Sequence, residues 1–135
     1  MAIDVKGGCA LLSVFDMPTA LKFYCDVLGL QVQSSSGPLP NCGWVWLKTN
    51  GGELMLNTAY DDDERPAAPD PERIAAHQDV CIYFGCADPD AAYQHLVAHG
   101  VKAKPPEVAY YGMKQLYVSD PDGYNLCFQC RARNG

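Results

Sequence analysis

The chain has few histidines, no cluster of basic residues and no long apolar run. Ten lysines and arginines stand against sixteen aspartates and glutamates, which gives a net charge of −6. A chain this acidic, with its basic residues dispersed, is a poor partner for nucleic acid or for an anionic membrane surface. No apolar run approaches the ~20 residues that a membrane-spanning helix requires. The sequence therefore predicts neither a nucleic-acid partner nor a membrane partner.

The sequence also predicts neither a secretory signal nor a disulfide framework. The first residues, "MAIDVKGG", contain no apolar segment of the kind found in signal peptides, so we expect a cytoplasmic protein. There are seven cysteines, an odd number with irregular spacing, and we interpret them as free thiols in a reducing compartment. For each cysteine the simplest role is apolar packing in the core.

The sequence contains the same order of elements twice. The first half is a strand, a helix and three strands, and the second half repeats this order. The acidic, proline-rich stretch 60–78 is predicted to connect them. Pro18 and Pro89 suit the first turn of a helix, and Asp88 is a candidate N-cap. The predicted elements cover residues 8–17, 18–29, 30–36, 42–49 and 52–58, then 79–86, 88–100, 101–104, 112–119 and 124–130.

A shift of 72 residues superimposes the two halves. It places Cys9 on Cys81, Met55 on Cys127 and Gly51 on Gly123, and it places the run 44–46 on the run 116–118. An internal repeat of this kind indicates two copies of one structural unit. We therefore predict an α+β fold of two βαβββ modules, residues 6–59 and 79–131, within a single domain 1–135. The modules are expected to form a curved, half-open sheet with the helices outside.

Three stretches resemble the glyoxalase/bleomycin-resistance/extradiol-dioxygenase superfamily, also called the vicinal oxygen chelate proteins. They are "DMPTALKFYCDVLGL" (16–30), "NGGELMLNTA" (50–59) and "YGMKQLYVSDPDGYNLCFQ" (111–129), of which the last is the most specific. Together with the repeat, the resemblance covers nearly the whole chain. It implies paired βαβββ modules that enclose a cavity, usually in a homodimer.

The resemblance also implies where a metal would be bound. Metal-dependent members usually place a histidine on the first strand of each module and a glutamate on the last strand. The corresponding positions here are Cys9, Met55, Cys81 and Cys127, and none of them is a histidine or a carboxylate. Divalent ions such as Mg²⁺, Mn²⁺ and Fe²⁺ prefer oxygen and imidazole ligands. We therefore expect no cofactor of the usual kind, and a soft metal such as zinc or copper stays an alternative.

Two further interpretations of these sulfur side chains stay open. Cys127 and Cys130 form a C-x-x-C sequence, but on a strand residues i and i+3 point to opposite faces, which argues against a redox pair. The interpretation we favour is that small apolar side chains fill a cavity that has lost its metal. His95 and His99, four residues apart on a predicted helix, are interpreted as exposed surface, and His77 lies in the connecting segment.

Strand alternation groups a set of side chains that could surround an organic ligand. On each strand the face of mixed polarity is predicted to line the cavity, and the aliphatic face to contact the helices. For the third strand of each module the sequence does not decide which face points inward. In the first module either Trp44 and Trp46 or Val45 and Leu47 could do so. In the second module the choice is between Gln115 with Tyr117 and Leu116 with Val118. The predicted cavity residues are Cys9, Ser13, Trp44, Trp46, Met55, Asn57, Cys81, Tyr83, Gln115, Tyr117, Cys127 and Gln129.

The expected function is therefore the binding of an apolar or aromatic small molecule without a metal, in a homodimeric protein. A metal-dependent lyase, isomerase or dioxygenase of the same superfamily is the main alternative. A third possibility is an interaction module whose cavity is filled by its own side chains. The sequence does not identify the ligand.

Overall fold

The computed structural model describes residues 2–61 and 63–133, and the chain divides into two compact units. The first unit ends at Pro66 and the second begins at Ala67, inside the predicted connecting segment. Each unit contains one four-stranded mixed sheet and at least one helix. The α+β class and the two modules are thus confirmed. Among the described residues, no helix has the length and apolar character needed to cross a membrane.

The first unit follows the predicted strand–helix–strand–strand–strand order. Its sheet has the order β1-β4-β3-β2, with β1 parallel to β4 and the other neighbours antiparallel. Helix α1 continues without a break as a π-helical segment, which ends before Gly29 (φ +86°) as predicted. The elements are β1 (Ala10–Val14), α1 (Met17–Leu21), the π-helical segment (Lys22–Val27), β2 (Gln31–Ser35), β3 (Trp44–Lys48) and β4 (Glu53–Thr58).

The second unit repeats this plan with one additional helix at its start. Its sheet has the order β5-β8-β7-β6, with β5 parallel to β8. The predicted cap is confirmed, because the Asp88 carboxylate accepts a hydrogen bond from the Ala91 amide at 3.0 Å. The elements are α2 (Pro71–His77), β5 (Cys81–Gly85), α3 (Pro89–Ala98), β6 (Glu107–Val108), β7 (Met113–Ser119) and β8 (Asn125–Arg131).

Two features of the second unit differ from the sequence prediction. The connecting segment contains helix α2, whose N-cap Asp70 accepts a hydrogen bond from the Glu72 amide. Residues 101–104, predicted to be a strand, have no regular structure, and β6 consists of Glu107–Val108 only. Prolines 105 and 106 have no amide hydrogen to donate to a neighbouring strand. The ladder with β7 therefore begins only after them, where Glu107 pairs with Gln115.

The 72-residue repeat is confirmed for the parallel strand pairs, but it is wrong by one residue for the third strand. Leu11 pairs with Met55, and Tyr83 pairs with Cys127, so both partners are 72 apart. On the third strand, Trp46 lies opposite Met55 and Tyr117 lies opposite Cys127.

Trp46 therefore corresponds to Tyr117, 71 residues later, and Trp44 corresponds to Gln115. The cause is the length of the hairpin. Four residues, 49–52, connect β3 to β4, whereas five residues, 120–124, connect β7 to β8.

Each sheet packs its aliphatic face against a helix. Helix α1 contacts β4, and α3 contacts β7 and β8. The buried strand residues on these faces are Leu12, Val14, Val45, Leu47, Leu54 and Leu56 in the first unit, and Leu116, Val118 and Leu126 in the second. Because side chains alternate along a strand, the intervening residues lie on the opposite side. We call that side of each sheet the distal face.

Candidate ligand-binding site

The twelve predicted cavity residues lie on the distal faces, six in each unit. The open question about the third strand is resolved in favour of Trp44 and Trp46, because Val45 and Leu47 are buried on the helix side. In the first unit the six are Cys9, Ser13, Trp44, Trp46, Met55 and Asn57. In the second they are Cys81, Tyr83, Gln115, Tyr117, Cys127 and Gln129. That these residues surround a ligand stays a prediction.

A hydrogen-bond network covers the distal face of the second unit. Its centre is Gln115, which is only 7% exposed. The Gln115 amide donates to the Tyr111 hydroxyl at 2.7 Å and to Gln129 Oε1 at 2.9 Å. Its carbonyl accepts from the Tyr117 hydroxyl at 3.4 Å. A buried polar side chain whose groups are all paired is rigidly held. The network therefore fixes the orientation of the tyrosines around it.

Two half-exposed tyrosine rings stand at the surface of this network. Tyr83 and Tyr117 are 52% and 47% exposed. Their hydroxyls lie 3.2 Å apart, and their rings meet edge to face at a centroid distance of 6.5 Å. The hydrogen bond between its hydroxyl and that of Tyr83, together with burial of the hydroxyl, raises the pKa of Tyr117 above its ordinary value. Tyr117 is therefore a neutral hydroxyl at physiological pH, and it offers an aromatic surface with a polar edge.

The centre of the distal face of the first unit is apolar. Trp46 lies opposite Met55 across the sheet, and Leu11, half exposed, lies on the neighbouring strand β1. The Trp46 Nε1 atom is buried and has no hydrogen-bond partner among the described residues. Indole, thioether and aliphatic groups make an apolar surface with few hydrogen-bonding groups.

The four positions that correspond to family metal ligands carry thiols and a thioether. Burial raises the pKa of the Cys9, Cys81 and Cys127 thiols, so each is protonated at neutral pH. Cys127 is 0% exposed and interacts with the Tyr117 hydroxyl. Thiols and a thioether are not the oxygen and imidazole ligands that Mg²⁺, Mn²⁺ and Fe²⁺ prefer.

Other candidate metal or redox groups are not assembled by the fold. Within each unit, no three His, Cys, Asp or Glu side chains of the described residues converge as a metal site. All seven cysteines, each among the described residues, are free. Cys127 and Cys130 lie on β8 three residues apart, on opposite faces. His95 and His99 are exposed, as predicted.

A cleft of about 700 Å³ runs along the distal face of the second unit beside β6. Its size is within the range of small-molecule sites, roughly 300–1,000 Å³. Tyr117 and Gln115 line one side. The segment before β6 lines the other, with Lys102, Lys104 and Pro105. The first unit has a smaller depression of about 430 Å³ near its β3–β4 hairpin, beside Trp46.

The turn between β7 and β8 is a structural feature that the sequence prediction missed in part. The Asp120 carboxylate, which is buried, accepts from the amides of Asp122 and Tyr124 at 2.9 Å. The His77 ring stacks on Tyr124 at a centroid distance of 4.0 Å, and its Nδ1 lies 2.7 Å from the Asp122 carbonyl oxygen. This turn, the most specific part of the resemblance, is thus held by α2. Nothing in the sequence around His77 indicates this contact.

The model of the Glyoxalase/Bleomycin resistance protein/Dioxygenase superfamily matches residues 8–128. The chain belongs to this superfamily. It is 32% identical over 116 residues to "Uncharacterized protein YaeR" of Escherichia coli K12. The matched region covers 82% of this chain and 84% of that protein.

Solved structures of superfamily proteins have the same fold. A glyoxalase/bleomycin resistance protein/dioxygenase from Nocardioides has a TM-score of 0.72 at 20% identity, over 100% of this chain and 89% of that one. TnmS3, an antibiotic binding protein from Streptomyces sp. CB03234, has a TM-score of 0.70 at 18% identity, over 97% of this chain and 100% of that one. At these identities the likeness shows the fold alone.

Proposed function

We propose that this protein binds a planar aromatic small molecule without a metal ion, and that the ligand lies against the distal face of the second unit. The observation that carries the proposal is the pair Tyr83 and Tyr117. Both rings are about half exposed, yet their hydroxyls are held by hydrogen bonds to one another and to Gln115. Exposed but immobilised aromatic rings lose little conformational entropy when a ligand stacks on them.

Three further observations support this function. The cleft of about 700 Å³ borders Tyr117 and has room for a ligand of two or three fused rings. The positions equivalent to metal ligands carry three thiols and a thioether in place of histidine and carboxylate, and one of them, Cys127, is completely buried, which suits apolar packing. TnmS3, which shares the fold, is described as an antibiotic binding protein. A homodimer in the cytoplasm is the setting we infer for this activity.

The test uses a pair of probes of similar size that differ in aromaticity, 2-naphthol and decahydro-2-naphthol. Isothermal titration calorimetry is performed on protein purified without added metal, before and after treatment with EDTA. We expect 2-naphthol to bind about three- to tenfold more tightly than the saturated compound, because only the aromatic ring stacks on tyrosine. Its affinity is expected to be the same after chelation.

A matched pair of variants locates the site. Tyr117→Leu keeps an apolar side chain but removes the ring, and is expected to weaken 2-naphthol binding by about three- to tenfold. Tyr110→Leu is the control, because Tyr110 is fully exposed and does not line the cleft. Absence of binding, or an equal effect of both variants, contradicts the proposal. Binding or turnover that EDTA abolishes favours the metal-dependent lyase, isomerase or dioxygenase instead.

A further inference from the structure

Two lysines line the cleft beside β6, and neither has a carboxylate partner among the described residues. Lys102 and Lys104 both line it. Neither forms an ion pair with any residue that the structure describes. By contrast, Lys114 on β7 is paired with Asp90. The chain has a net charge of −6 and only ten basic residues, so two unpaired cations in one cleft are a distinctive local feature.

The uncharged polar side chains of the cleft already have partners. The Gln115 amide hydrogens are used by Tyr111 and Gln129. Ser119 donates to Asn125, and the Asn125 amide donates to the Gln78 carbonyl oxygen. An ammonium group has three hydrogens to donate, so the lysines are the groups of the cleft with the most unused hydrogen-bonding capacity.

One carboxylate, Glu107, also lines the cleft, so two lysines and one glutamate leave a net charge of +1. Because the protein as a whole is acidic, an anionic ligand gains attraction only near such a local excess of positive charge. A ligand with its ring against Tyr117 could extend an acidic substituent towards the segment that carries both lysines, since Tyr117 lines the same cleft.

We propose that this cleft selects ligands with an anionic group, such as an aromatic carboxylate, which Lys102 and Lys104 bind while the aromatic ring lies against Tyr117. This inference rests on the proposed function and specifies its ligand class. It predicts that charge on the ligand contributes to affinity, and that the contribution decreases as salt screens the interaction.

The test compares 2-naphthoate with 2-naphthol, which have the same ring system but differ in charge at neutral pH. We expect the wild-type protein at low salt to bind 2-naphthoate about five- to tenfold more tightly than 2-naphthol. This preference should decrease at about 0.5 M salt, because salt screens the charge interaction. The double variant Lys102→Glu/Lys104→Glu is expected to lose this preference while its affinity for 2-naphthol changes by less than about twofold.

The control is Lys22→Glu, since Lys22 is exposed on the π-helical segment of the first unit. It also reverses a lysine charge and is expected to keep the preference. Equal affinity of the wild-type protein for both probes, or a preference that survives the double substitution, overturns the inference while leaving the proposed function standing. If neither probe binds, the proposed function fails and this inference fails with it.

Discussion

The two units have the same strand plan but carry different chemistry on their distal faces. In the first unit Trp46 lies opposite Met55, and the indole nitrogen has no partner among the described residues. At the equivalent positions of the second unit Tyr117 lies opposite Cys127, and a network through Gln115 satisfies the polar groups. The repeat therefore conserves the register of the parallel strand pairs, while the side chains at the centre of the distal face are apolar in the first unit and hydrogen-bonded in the second.

The β3–β4 and β7–β8 hairpins also differ between the two units, by one residue in length. The turn of the second unit has one residue more than that of the first, and it is held by the buried Asp120 carboxylate. Gly123 in this turn has φ +90°, and a β-carbon added to it would lie 2.5 Å from the Ile74 carbonyl oxygen. Gly51, its counterpart in the sequence shift, does not adopt the left-handed conformation, and a β-carbon added to it would have no neighbour within 4 Å. Two glycines that look equivalent in sequence are thus under very different constraints.

The largest expected effect follows from this difference between the hairpins. Gly123→Ala combines a left-handed backbone conformation with a clash against the α2 backbone, and should lower the free energy of unfolding by about 3 kcal/mol. Gly51→Ala should change it by less than about 0.5 kcal/mol. Urea denaturation followed by circular dichroism measures both. Similar losses for the two variants would mean that the contact between Gly123 and α2 does not constrain the turn.

A smaller effect is expected at Cys127, which corresponds to a metal-ligand position of the family. The side chain is completely buried, so Cys127→Ala removes packed volume and should cost about 1–2 kcal/mol of unfolding free energy. Binding of 2-naphthol should change by less than about twofold, because the sulfur does not reach the surface. The matched variant Cys9→Ala, at a partly exposed position, should lower the free energy of unfolding by a smaller amount. Loss of 2-naphthol binding in a correctly folded Cys127→Ala protein would contradict the interpretation that Cys127 contributes only to packing.

The smallest expected effect is a decline of stability in alkaline solution. The pKa of the Cys127 thiol is raised by burial above its ordinary value of 9.0. The folded state therefore retains this proton at a pH where the unfolded state has lost it. The contribution of this proton to the free energy of unfolding is fully present below pH 9, and it is lost as the pH rises through the folded-state pKa. Tyr117, whose pKa is raised mainly by Tyr83, acts in the same direction above its ordinary value of 10.0.

Denaturation curves measured between neutral pH and about pH 10 detect this decline. Cys127→Ala should make the free energy of unfolding fall less steeply with pH, whereas Lys22→Glu should leave this slope unchanged. A slope that is the same in the wild-type protein and in Cys127→Ala would show that the buried thiol does not contribute.

The sequence determined the fold because its signals are local and repeated. Alternating apolar residues specify the strands and their helix-facing sides, and a helix ends where Gly29 or Gly100 adopts a positive φ. The repeat then relates Leu11 to Tyr83 and Met55 to Cys127 with the correct register. These features depend on neighbouring residues in the chain, or on two strands that share one periodicity.

Only the tertiary structure decided which side chains of the third strands lie on the distal face. It alone also decided the contacts of His77 and the position of the cleft. The one-residue difference between the hairpins shifts Gln115 and Tyr117 relative to the sequence repeat, and no local pattern reports the length of a turn held by a buried carboxylate. His77 contacts Asp122 from 45 positions away, and Lys102 shares a cleft with Tyr117 only because β6 pairs with β7. Such contacts depend on packing between distant segments, which periodicity and turn chemistry do not encode.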